Sequence, residues 1–144
     1  MCVYMSVRVD TPQKIRFLKY IYEQKHGVKP GEIAETFGIR GSTVTRSLLE
    51  LKEAGCIQYD PYQTVLLTES GEELSKFFHR RHRILSLMFA RAGLSAHDAC
   101  LQAEKIEHLV PREHIDQICR CLGHPRRSVC GIIDYDPGCC GAVL

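Results

Sequence analysis

Apolar residues recur at helical spacing over most of this chain, and the interruptions mark where one element ends and the next begins. The first stretch differs. Residues 3–9 place Val3, Met5, Val7 and Val9 at every second position, the pattern of a short strand or an extended arm. Thr11-Pro12 then reads as a helix N-cap with proline at the first helical position. Ile15, Leu18, Ile21 and Tyr22 give that helix one apolar face, which ends near His26-Gly27. A second helix opens after Pro30-Gly31, carries Ile33, Ala34 and Phe37, and breaks at Gly38. A third starts at Ser42-Thr43, points Val44, Leu48, Leu49 and Leu51 inward, and ends near Ala54-Gly55.

Two short β-like runs follow, 56–59 and 64–67, separated by the turn Asp60-Pro61-Tyr62-Gln63. Three helices and a hairpin, in that order, make a winged helix-turn-helix. Thr68-Glu-Ser-Gly71 caps a long helix over about 70–92, Ser95 caps another over 96–109, and Pro111 opens a last one to Leu122. The predicted fold is mainly α: a winged helix-turn-helix at 1–72, a helical dimerisation and sensing domain at 73–125, and a Cys-rich tail at 126–144.

Composition narrows the class of function. The chain has 144 residues, 44% hydrophobic and 25% charged, with no apolar run long enough to span a membrane and no signal-peptide core at its start. A cytoplasmic protein without a membrane partner is expected. The net charge of +2 says little, because nucleic-acid binding depends on clustered basic charge. Two clusters stand out: Arg40 with Arg46, and the run from Lys76 to Arg83.

The stretch from Glu32 to Leu48 has helix-turn-helix spacing. Ala34 lets two helices cross closely, Gly38 supplies a left-handed turn, and Val44 packs the second helix back on the first. That second helix exposes Arg40, Ser42, Thr43, Thr45 and Arg46, side chains that contact phosphates and base edges, with no acid among them. The wing tip, Tyr62-Gln63, is a further candidate for a contact to the DNA backbone, through Gln63. The expected partner is double-stranded DNA.

Further on, Cys100, Glu104, Glu107 and His108 stand at i, i+4, i+7 and i+8, which puts them on one helical face. A thiol, two carboxylates and an imidazole form a ligand set for a divalent transition metal, and His82 could add a nitrogen from the preceding helix. Several segments together carry a resemblance. They are Tyr20-Ile-Tyr22, the helix-turn-helix, Leu67-Thr-Glu-Ser-Gly71, Arg81-His-Arg83, Ala103-Glu-Lys-Ile-Glu-His108 and Leu122-Gly-His-Pro125. From about 11 to 122 the chain resembles the diphtheria-toxin-repressor family of metal-dependent regulators, closer to its short manganese-type branch. The resemblance implies a homodimer on a palindromic operator, with iron or manganese as effector. It implies His82, Glu104, Glu107 and His108 as ligands, with Cys100 near a further one. The chain ends before the additional SH3-like domain of the iron-type branch.

The chain departs from that family where its first helix should supply ligands. Arg16 and Lys19 stand there, and neither ligates a metal in its protonated form. Ser86 stands where a second carboxylate would follow His82. Two arrangements follow: an Arg16 salt bridge to Glu104 or Glu107 in place of a metal, or a single metal on His82, Cys100, Glu104 and His108. Eight cysteines are many for a cytoplasmic protein, and Cys119, Cys121, Cys130, Cys139 and Cys140 crowd the C-terminal end. Thiolates there could hold zinc or an iron–sulfur cluster, although the spacing fits no standard zinc motif. The sequence therefore points to a homodimeric DNA-binding repressor of metal homeostasis, not an enzyme. The alternative is a redox or iron–sulfur sensor working through the C-terminal cysteines.

Overall fold

The computed structural model describes Val9 and residues 11–141, which divide into two compact units at the Ser75–Lys76 bond. The alternating arm at 3–8 lies outside the described residues. No helix among the described residues is long and apolar enough to cross a membrane.

The first unit follows the hydrophobic pattern. Helix α1 (Pro12–Gln24) begins where Thr11 accepts a hydrogen bond from the Lys14 amide. It buries Ile15, Phe17, Leu18 and Ile21. Helix α2 (Pro30–Phe37) ends at Gly38, whose φ of +63° turns the chain so that the Ile39 amide donates to the Ala34 carbonyl. Helix α3 (Gly41–Glu53) returns Val44, Ser47, Leu48 and Leu51 to the core. Full burial of each large apolar side chain stabilises by about 1.5–3 kcal/mol. Leu49 departs from the expectation. It is 51% exposed, because it lies one residue off the stripe that Leu48 and Leu51 define. Strands β1 (Ile57–Gln58) and β2 (Leu66–Leu67) pair antiparallel, and Val28 bridges to Val65 beside them. Tyr62, fully exposed at φ +67°, marks the tip of this wing. Thr68 ties the wing to the next helix. Its hydroxyl donates to the Gly55 carbonyl at 2.6 Å and accepts from the Gly71 amide at 3.1 Å.

Helix α4 (Glu69–Arg91) runs on into the second unit. There follow α5 (Ala96–Ile106), a 3-10 turn (Glu107–Leu109) and α6 (Arg112–Cys121). Ser95 caps α5 by accepting from the Asp98 amide at 3.1 Å. The helix expected over 96–109 ends at Ile106 and tightens into the 3-10 turn, where Glu107 is 4% exposed, while Glu104 on α5 lies on the surface. The Cys-rich end is folded. Strands β3 (Arg127–Ser128) and β4 (Gly131–Ile132) form a hairpin, and a short helix α7 (Pro137–Cys140) starts at Asp136, which caps the Gly138 amide at 2.8 Å.

The basic run at 76–83 is not a DNA surface. Arg80 and Arg81 are each 3% exposed. Arg80 pairs with Asp116 at 2.9 Å and Asp136 at 3.6 Å. Arg81 lies over Phe77 and Phe78 and donates to the Val110 carbonyl. Arg83 donates to the Ile132 carbonyl at 2.6 Å. These cations link α4 to the elements packed on it, since buried charges persist only where they are paired.

Candidate functional site

On the first unit, Arg40, Ser42, Thr45, Arg46 and Gln63 are exposed and Thr43 is half-buried. The Thr45 hydroxyl donates back to the Gly41 carbonyl at 3.0 Å, which commits its proton to the helix while its oxygen can still accept. Glu50, the next acid along α3, is occupied by Lys14, whose ammonium holds the Glu50 carboxyl below its ordinary range. Arg40 and Arg46 thus present positive charge without an unpaired acid one turn away.

On the second unit, the hairpin is fastened to α4 at two points. The Ser128 hydroxyl donates to the Arg83 carbonyl at 2.7 Å, and Arg83 reaches back to Ile132. Gly131 permits this approach. Its φ is +150°, and a Cβ there would lie 3.2 Å from Arg83 Nε. The two-residue turn thereby sets Cys130 beside His82. Ligand atoms of His82, Cys100 and Cys130 all lie within 4.8 Å of one another. His82 Nδ1 is 2.7 Å from Glu107 Oε2, so the buried carboxylate orients the ring and leaves Nε2 for another partner. Hydrogen bonding to His82 outweighs burial and lowers the Cys130 thiol to about 7.

The remaining sequence-derived ligands are placed differently. Glu104 is exposed, and His108 is half-buried on the turn that carries Glu107. His108 Nδ1 is buried with no hydrogen-bond partner among the described residues. Neither residue belongs to a cluster of converging ligand atoms among the described residues. Ser86 is fully buried and returns its hydroxyl to the His82 carbonyl at 2.8 Å, an internal helix bond. Arg16 is exposed and Lys19 half-buried on α1. The C-terminal cysteines separate into two groups. Cys130 joins His82 and Cys100, while Cys119, Cys139 and Cys140 surround His124, again within 4.8 Å. Cys121 is exposed. Sequence reasoning missed both mixed groupings, because they depend on the β3–β4 hairpin and the α7 turn, each too short to show periodicity.

Imidazole nitrogen and two thiols, supported by a buried carboxylate, fit a divalent ion of borderline softness. The thiols suit iron(II) or zinc better than manganese, which favours carboxylate and water.

Two family profiles match successive parts of the chain. A family profile described as "Iron dependent repressor, N-terminal DNA binding domain" matches residues 11–65. A second, "Iron dependent repressor, metal binding and dimerisation domain", matches 68–134. An uncharacterised HTH-type transcriptional regulator of Methanocaldococcus jannaschii is 29% identical over 104 residues, covering 72% of this chain and 83% of that protein. The HTH-type transcriptional regulator MntR of Lysinibacillus sphaericus is 29% identical over 113 residues, covering 76% and 81%. A solved manganese-dependent transcriptional repressor in complex with manganese superposes with a TM-score of 0.71 at 26% identity, over 88% of this chain and 63% of that one.

Proposed function

Because this chain belongs to the iron-dependent repressor family, we propose that it represses transcription as a homodimer whose grip on DNA depends on a metal at His82, Cys100 and Cys130. It is a DNA-binding transcriptional regulator and not an enzyme. The observation that carries the metal reading is the convergence of His82 with two thiols, with Glu107 bonded to its other side. Glu107 then acts as the partner that orients the ligand. His82 comes from α4, Cys100 from α5 and Cys130 from the hairpin, so an ion held there cross-links three elements of the dimerisation domain. Iron(II) is the effector that the thiols favour over the manganese named for the relatives. The relatives lend no support to a redox or iron–sulfur sensor. A role on DNA supports a cytoplasmic place of action.

Leu101 and Leu109, 41% and 72% exposed in the second unit, supply apolar area for a dimer contact. Two-fold symmetry in the protein requires a two-fold operator, with each α3 in a major groove. Arg46→Ala is then expected to weaken operator binding about tenfold, within the 1–3 kcal/mol of one arginine contact, as read by fluorescence anisotropy. Binding should also fall steeply with salt as counterions are released. Equal binding by Arg46→Ala and the parent would remove α3 from the interface.

The test of the metal assignment is anaerobic titration with iron(II), manganese(II) and zinc(II). Iron(II) and zinc(II) should bind more tightly than manganese(II). Tighter binding of manganese would overturn the thiol-based assignment.

A further inference from the structure

The second cluster belongs to neither the DNA-reading face nor the His82 site. Three features assemble it. Helix α6 delivers Cys119 inward at 1% exposure. Past its end, Gly123 at φ +78° and His124 at φ +50° turn the chain back, and the His124 amide donates to the Cys119 carbonyl at 2.8 Å. A left-handed histidine is uncommon, and such strain concentrates where a side chain must be aimed. Here it brings His124 Nδ1 to 3.5 Å from Cys119 Sγ.

The third feature is α7. Asp136 caps it, and Arg80 and Arg112 hold the Asp136 carboxylate at 3.6 and 3.1 Å. That anchors the next turn, so Cys139 is 2% exposed, with Sγ 3.9 Å from His124 Nδ1, and Cys140 closes the group half-buried. Zn–S bonds of about 2.3 Å and Zn–N bonds of about 2.0 Å at tetrahedral angles place sulfur and nitrogen roughly 3.5 Å apart, and two sulfurs roughly 3.8 Å apart. The nitrogen–sulfur distances to Cys119 and Cys139, 3.5 and 3.9 Å, lie at or close to the first of these, and all four ligand atoms lie within 4.8 Å of one another. An iron–sulfur cluster interposes several atoms between its ligands and needs them wider apart. Arg80 Nε and Nη2 are buried without a hydrogen-bond partner among the described residues. Arg80 packs beside Cys119, and a cation there complements thiolate charge. Cys139 and Cys140 also lie beyond the residues that the family profile matches.

We infer that Cys119, His124, Cys139 and Cys140 bind one zinc ion tetrahedrally, closing the C-terminal segment onto α6 as a structural clasp separate from the His82 site. On binding, each thiol loses its proton to solvent, zinc stays divalent, and no redox step is involved. All four positions are filled by protein, as in structural zinc sites, so the clasp has no open place for substrate.

The test counts metal in full-length His82→Ala/Cys130→Ser protein, where the other site is disabled. Elemental analysis after dialysis against a weak chelator should find one zinc per chain. Cobalt(II) in its place should give the visible bands of tetrahedral, sulfur-rich coordination. Adding Cys139→Ser and Cys140→Ser should abolish both signals, and adding Cys121→Ser should change neither. If the paired change prevents folding, Cys140→Ser alone should shift the cobalt spectrum by the loss of one thiolate. Absence of zinc in the parent, a cobalt spectrum indifferent to Cys140→Ser, or iron with sulfide in place of zinc would overturn the assignment. One zinc in this variant, together with no metal effect on DNA binding by the unsubstituted protein, would leave the clasp standing and remove the regulatory role of the His82 site.

Discussion

His82→Ala is expected to weaken iron(II) binding at the sensing site at least about 100-fold, at or above the loss seen when only a ligand's supporting partner is removed. The substitution acts twice. It deletes the only nitrogen in the His82–Cys100–Cys130 group. It also strips Glu107, 4% exposed, of the ring it holds at 2.7 Å. A buried carboxylate that loses a hydrogen-bond donor favours its protonated form. Glu107→Gln separates the two effects. It keeps the imidazole and loses the carboxylate charge, so its affinity should drop roughly tenfold. Competition against a fluorescent chelator reads both variants. Equal affinity in parent and His82→Ala would move the sensing site away from α4.

Gly71→Ala should cost about 3 kcal/mol, the upper end of overpacking, and lower the Tm by roughly 10 °C for a chain of this size. The reason lies in backbone, not in a side chain that could turn aside. A Cβ on residue 71 would stand 1.9 Å from the Cys56 carbonyl oxygen. That carbonyl already accepts from the Thr68 amide at 3.0 Å, so moving it breaks the wing-to-helix junction. Gly31→Ala is the control. Nothing lies within 4 Å of its added Cβ, and alanine favours the helix by about 1 kcal/mol over glycine. Thermal unfolding that ranks the two variants equally would contradict the close approach of α4 to the wing.

The DNA-reading unit was legible because its signals are local. Thr11, Gly38 and Thr68 act through neighbours three to five residues away, or through the adjoining wing. The helical stripes at Ile15, Leu18, Ile21 and at Val44, Leu48, Leu51 need only a 3.6-residue period. The sensing unit was legible in composition and less so in grouping. Glu104 shares a helical face with Cys100 by spacing, yet Glu107 on the 3-10 turn after Ile106 is buried while Glu104 lies outside. Cys130 reaches His82 across 48 residues through a hairpin of two-residue strands. His124 attracts no notice as a ligand until its left-handed backbone turns it toward Cys119. The arginines at 80 and 81 misled for a related reason. Positive charge in sequence carries no sign of whether Asp116 and Asp136 will meet it inside the fold.

The most direct measurement is selection from a random duplex library by the intact protein under anaerobic conditions, once with iron(II) and once with chelator. The account predicts enrichment of a two-fold symmetric sequence with iron(II) and its loss with chelator and in His82→Ala. Equal enrichment of the same sequence with and without metal would contradict it.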